Sequence, residues 1–175
     1  MPARSSPASA RGSCEPKQRA PSAWRFSRRD TEIWAPPGEG VKREIVTLGP
    51  TLQLAFAEAA LATLALAIAP EGVRQHEVRE VRAHGGTLEA LCAHWIDECR
   101  YVQEIEGFGC GAIDFAVFDL EPKAGGEPLR IHAFLRGEVG AESDQPGQAF
   151  TALSARDIAI GQTPEGYQIR LTIES

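Results

Sequence analysis

The residues best equipped for chemistry lie in one short stretch. Cys92, His94 and Glu98 offer a thiol, an imidazole and a carboxylate within seven positions. These groups are typical zinc ligands, and on a helix His94 and Glu98 share a face because they lie four positions apart. A single helix cannot place four ligands around one ion. The stretch therefore favours core cysteines and a surface ion pair over a metal site.

Signatures of nucleotide binding and of nucleophilic catalysis do not occur in the sequence. There is no GxxxxGK[ST] motif, and the glycine-rich run 107–111 follows a predicted helix instead of opening one. Such a run cannot offer a phosphate the positive end of a helix dipole. A hydrolase that uses His76, His84, His94 or His132 has no supporting Cys–His or Ser–His–Asp pattern. The motifs therefore predict no catalytic residue and favour a binding protein.

Charge is distributed unevenly along the 175 residues, whose formal net charge is −6. Residues 1–29 contain seven basic side chains and one acidic one, whereas the remaining residues contain 11 basic and 23 acidic ones. An acidic body argues against a protein that coats nucleic-acid phosphates, and it favours cations or a basic partner surface.

The length fits one domain, preceded by an arm of different composition. Residues 1–23 are rich in Pro, Ser, Ala and Arg, and we predict a disordered basic arm, with an organelle transit peptide as the alternative. Residues 24–175 are predicted to form a single domain. No secretory h-region precedes it and the four cysteines form no CxxC pair, which indicates reduced thiols and a cytoplasmic location.

The pattern of apolar residues predicts an α+β fold with two helices and about seven strands. The helices are expected at about Thr51–Ile68 and Thr87–Gln103, each with a threonine at its start. Residues 52–69 are nearly all apolar, but they are short for a membrane span and polar residues interrupt them, so we predict a buried helix. No internal repeat is visible. The candidate strands are 31–35, 41–48, 73–83, 112–120, 129–137, 150–153, 157–162 and 167–174. Residues 138–148 are predicted to form an acidic loop in which the carboxylates of Glu138, Glu142 and Asp144 are solvated.

Four sequence segments form an ordered set in which no single segment is diagnostic. The segments are Gly49-Pro50-Thr51-Leu52 with Ala55-Phe56; Leu88-Glu89-Ala90-Leu91 with Trp95-Ile96-Asp97-Glu98; Tyr101 with Glu106-Gly107-Phe108; and Leu129-Arg130 with Arg136-Gly137-Glu138. Taken together they resemble the archease family, and the match covers about residues 49–175.

The resemblance implies both a fold and a role. Archeases are small acidic proteins that assist the RtcB-type RNA ligase in tRNA splicing and RNA repair. The implied fold is a two-layer α+β sandwich, a mixed β-sheet with two α-helices packed on one face. The implied role is a protein cofactor, without catalytic residues, that promotes guanylylation and multiple turnover of the ligase. Contact with RNA would be indirect, through the ligase, and no membrane is involved.

The resemblance also implies a divalent metal site at the end of the chain. Glu174 and the carboxylate of Ser175 match two of the family's ligands in position. The first ligand is ambiguous: an alignment without a gap places Lys42 there, and an insertion at residues 36–44 places Asp30 there. We favour Asp30. Oxygen ligands suit Ca²⁺, with Mg²⁺ or Mn²⁺ as alternatives.

A second hypothesis is a degenerate protein that keeps the fold and has lost the metal site. It is motivated by Lys42 and by residues 151–156, where the sequence lacks a lysine and an aromatic ring that are typical of the family. Such a protein would act as an interaction or structural module.

Overall fold

We describe the fold from a computed structural model, which describes residues 42–121, 126, 128–141 and 157–174. All of these lie within one compact unit, Ala35–Ser175. The elements in chain order are β1 (Lys42–Gly49), α1 (Leu52–Leu64), a short 3-10 helix (Pro70–Gly72), β2 (Glu77–Gly85), α2 (Leu88–Glu106), β3 (Phe108–Asp119), β4 (Leu129–Val139), β5 (Ile158–Thr163) and β6 (Gly166–Glu174).

Both α-helices begin in the same way, at a glycine corner followed by a threonine cap. The Thr51 and Thr87 hydroxyls each accept a hydrogen bond from the backbone N–H three residues later, at 3.2 Å in both helices. This satisfies an N–H group that has no partner within the helix. Gly49 and Gly85 end the preceding strands, and a Cβ at either would lie closer than 3.0 Å to backbone of the following helix. The fold therefore uses one strand-to-helix corner twice.

The described strands form two three-stranded sheets, ordered β1-β6-β5 and β2-β4-β3, with every pair antiparallel. The predicted α+β class with two helices is confirmed, but these strands do not form one mixed sheet. Strand β1, which precedes α1, pairs with β6, and strand β2, which precedes α2, pairs with β4. Strands β1 and β2 therefore lie in different sheets. Alternating apolar residues show which face of a strand is buried and do not identify its partner.

The core lies between the helices and the inner faces of both sheets. Helix α1 contacts β1 and β6 of one sheet and β3 of the other, and α2 contacts β2, β3 and β4 as well as β5. Trp95 of α2 is fully buried, and its indole N–H donates to the Phe56 carbonyl of α1 at 3.2 Å. Each helix therefore packs on both sheets, which makes the layers interdependent.

The predicted helices and strands that lie within the described residues are present in the structure, with shifts at their ends. Helix α1 stops at Leu64, four residues before the predicted Ile68, and α2 continues to Glu106, where Gly107 with φ 61° forms a left-handed C-cap. Among the residues that the structure describes, no helix is long and apolar enough to span a bilayer. The candidate strands 31–35 and 150–153 and the arm 1–23 lie outside the described residues.

Candidate functional site

One of the three predicted metal ligands lies at the end of β6, the last of the described strands. Glu174 is the final residue of that strand, while Asp30 and Ser175 lie outside the described residues. The structure therefore places the backbone position of one predicted ligand, Glu174. The residues of β1 that pair with this end of β6 contribute the charges around it.

Lys42 occupies the position directly opposite Glu174. The antiparallel register of β1 and β6 pairs Lys42 with Glu174 and Glu44 with Thr172, and the Lys42 side chain is exposed. The carboxylate of Glu44 is already bound by the Arg170 guanidinium at 3.1 Å. The charge of Arg170 is thus balanced by Glu44, whereas Lys42 places a positive charge across from Glu174, which opposes that of a divalent cation. The sequence indicated Lys42 as a residue of this site only through the alignment without a gap. The strand register places it directly across from Glu174.

Within the described residues, no three His, Cys, Asp or Glu side chains come together as a metal site. The stretch on α2 has the predicted arrangement. Cys92 is fully buried, and His94 Nε2 lies 3.2 Å from Glu98 Oε1. His94 Nδ1 lies 3.0 Å from the backbone oxygen of His84, which ties α2 to the end of β2. The side chains of this stretch stabilise the fold.

The described cysteines are poor nucleophiles. Cys92, Cys99 and Cys110 are all buried free thiols. Burial raises the pKa of Cys92 and Cys99 well above the ordinary range and raises the pKa of Cys110 to about 12. Because the thiolate is the reactive form, these three groups are inert at neutral pH.

Two of the four histidines contact each other, and no hydrogen bond joins a histidine ring to a hydroxyl or thiol among the described residues. The His84 and His94 rings meet edge to face at 4.6 Å, and His76 lies 3.8 Å from Glu77. His132 Nε2 lies 3.0 Å from Glu80 Oε1, although the angles are not those of a hydrogen bond. Each of these imidazoles thus contacts a carboxylate or another imidazole.

Glu138 is not part of the solvated acidic loop that the sequence predicts for residues 138–148. Glu138 lies in β4, its side chain is 12% exposed, and it accepts from the Arg74 backbone N–H at 3.0 Å and from Arg74 Nε at 2.9 Å. The backbone hydrogen bond, with help from the guanidinium, lowers the pKa of Glu138. Glu142 and Asp144 lie outside the described residues.

Comparison with known proteins agrees with this architecture. Residues 44–173 match the model of the Archease protein family (MTH1598/TM1083). The chain is 27% identical over 119 residues to Protein archease of Pyrococcus abyssi and 30% identical over 119 residues to Protein archease of Pyrococcus furiosus. Each match covers 67% of this chain and 80% of the relative.

A solved structure has a similar fold. The solution structure of Methanobacterium Thermoautotrophicum Protein 1598 superposes with a TM-score of 0.59 at 20% identity, covering 77% of this chain and 92% of the other. At this identity the likeness concerns the fold alone. The two-helix, two-sheet arrangement is therefore shared with a protein of known structure.

Proposed function

Because this chain belongs to the archease family, we propose that it is a protein cofactor that activates an RtcB-type RNA ligase. The observation that carries the proposal is the family match over residues 44–173. In this role the protein promotes guanylylation of the ligase and restores its active state between turnovers, in tRNA splicing and RNA repair. The ligase performs the chemistry and holds the RNA, and the cytoplasm is the proposed location.

The surface chemistry of the described residues supports a binding role. The three described thiols are buried and protonated, and the body outside the basic arm is strongly acidic. An acidic surface is attracted to a basic one, and an enzyme that binds RNA presents basic side chains to the phosphates. The proposed partner is therefore electrostatically complementary to this protein.

We test activation with the purified ligase of the same organism, GTP, a divalent metal and a broken tRNA substrate. The expected result is that the full chain converts a ligase that stops after one round into one that joins many equivalents of RNA. Unchanged turnover at saturating concentrations of the full chain would contradict the proposed role. If the chain binds the ligase tightly without activating it, the alternative of a degenerate interaction protein is favoured.

The metal site is a separate part of this proposal. Asp30, Glu174 and the Ser175 carboxylate would hold Ca²⁺ through hard oxygen ligands, the donor type that this ion prefers. The opposing consideration is Lys42, which lies across from Glu174. The charge of Lys42 would weaken the binding of a divalent cation there, and a protein that keeps the archease fold without a metal is the alternative.

Calorimetry with Ca²⁺ and Mn²⁺ separates these alternatives. We expect the full chain to bind Ca²⁺, the Glu174→Ala variant to lose that binding, and the Lys42→Ala variant to bind more tightly because a repelling charge is removed. A Glu71→Ala variant, at an exposed carboxylate on the 3-10 helix, is the matched control and should bind as the parent does. Absence of binding in the parent chain and in Lys42→Ala would contradict a metal site.

A further inference from the structure

Helix α2 carries an apolar pair on its solvent side. Tyr101 is 60% exposed and Ile105 is 66% exposed, and they lie one helical turn apart. The other exposed large apolar side chains among the described residues range from 43% to 51%. Single exposed apolar residues are ordinary, but an adjacent aromatic and aliphatic pair offers a contiguous surface for a partner.

Three carboxylates lie beside Tyr101 on the helix surface. On a helix, the surface neighbours of a residue lie three and four positions away. For Tyr101 these neighbours are Asp97, Glu98 and Glu104, and the fourth is Ile105 itself. We call these five residues the Tyr101 patch. Its chemistry is an apolar centre with an acidic rim.

Neighbouring side chains of α2 hold the three carboxylates of the rim in place. The Arg100 side chain is only 8% exposed, and its guanidinium bridges two of the carboxylates, with Nη1 at 3.4 Å from Asp97 Oδ1 and Nη2 at 3.1 Å from Glu104 Oε1. The third carboxylate, Glu98, lies 3.2 Å from His94 Nε2. A rim already ordered in the free protein loses little conformational entropy on binding.

The helix beneath the patch is also firmly anchored. Its opposite face is buried, including Trp95 and Cys99 at 0% exposure. The Gln103 amide donates to the Leu64 carbonyl at 3.1 Å, which ties the end of α1 to α2. The Tyr101 patch therefore lies on a rigidly packed helix, as expected of a preorganised interface.

We propose that the Tyr101 patch docks into an apolar pocket with a basic rim on the partner ligase. This inference rests on the proposed function and deepens it by naming the surface that meets the partner. Tyrosine is enriched among interface residues that carry most of the binding energy, and these are typically central and surrounded by a polar ring. Helix α2 carries five carboxylates and one guanidinium, so its charge complements a surface that binds RNA phosphates.

Binding of the purified ligase to the full chain, measured by calorimetry at two salt concentrations, tests the inference. We expect the double variant Tyr101→Ala/Ile105→Ala to bind about tenfold or more weakly, as loss of a central interface residue typically does. We expect Glu98→Gln/Glu104→Gln to weaken the salt dependence of binding because fewer charges face the partner. The matched control is Val78→Ala/Val117→Ala, at exposed apolar positions on the β2-β4-β3 sheet, which should bind like the parent.

The outcomes separate this inference from the proposed function. Equal affinity of the parent and the Tyr101→Ala/Ile105→Ala variant, with both folded by circular dichroism, would overturn the patch and leave the ligase role standing. A parent chain that neither binds the ligase nor raises its turnover would overturn both. A parent that activates and a patch variant that regains activation only at higher concentration is the expected pattern.

Discussion

At the scale of single residues, the most informative contacts join carboxylates to groups far away in sequence. Glu138 binds Arg74, and Glu77 accepts from the backbone N–H of Val139 at 3.2 Å. The backbone N–H of Val139 is the main cause that lowers the pKa of Glu77, as that of Arg74 does for Glu138. These two carboxylates tie the start of β2 to the end of β4.

The lowered pKa values predict acid sensitivity. A carboxyl group whose pKa is lower in the folded state than its ordinary 4.5 stabilises the fold above that pH, and this stabilisation is lost as pH falls through the folded-state pKa. We expect Glu138→Gln to be less stable than the parent at pH 7, and the difference to shrink below about pH 4.5. Urea unfolding between pH 3 and 7 measures this, with Glu71→Gln as control. A difference that stays constant across this range would contradict the prediction.

At the scale of elements, the repeated corner explains where both helices begin. The segments Gly49-Pro50-Thr51 and Gly85-Gly86-Thr87 build the same turn with one glycine and one threonine in common. The sequence predicted a threonine at the start of both helices. It showed no repeat, because the two segments have only one glycine and one threonine in common. The close approach of each glycine to its helix is visible only in three dimensions.

Gly85 and Gly86 provide a matched pair for testing the corner. A Cβ at Gly85 would meet the backbone of Leu91 and Ala90, whereas a Cβ at Gly86 has open space. We expect Gly85→Ala to lower the free energy of unfolding by about 1–3 kcal/mol, as overpacking does. Gly86→Ala should be neutral or stabilise by up to about 1 kcal/mol through the unfolded chain. Chemical denaturation of both variants measures this, and equal stabilities would show that the corner tolerates a side chain.

At the scale of the whole molecule, each helix packs on both sheets. The sheets should therefore unfold together, because neither can lose its helices while the other keeps them. The buried Trp95 side chain, bonded to Phe56, lies at the contact between the helices.

Removal of the Trp95 side chain should weaken both sheets equally. We expect Trp95→Ala to cost about 3–5 kcal/mol, the usual loss for a large aromatic side chain in a core. Hydrogen exchange should then show the same drop in protection for amides in β4 and in β6, while Leu48→Ala, at an exposed position, leaves both unchanged. Loss of protection in one sheet alone would mean that the two sheets open independently.

The sequence by itself determined the local features of this protein. The helix starts at Thr51 and Thr87 and the burial of Cys92 and Cys99 follow from residues within a turn or two of one another. The ordered segments also predicted the family. Local chemistry sets caps, turns and the buried face of each element, so these features can be read from short stretches.

Only the tertiary structure decided which strands pair and which distant residues meet. It divided the described strands into two antiparallel sheets, placed Lys42 opposite Glu174, and turned Glu138 from a loop residue into a partner of Arg74. The physical reason is that strand alternation specifies which face of a strand is buried and does not identify the strand with which it pairs. The partner is decided by core packing between segments that lie far apart in the chain.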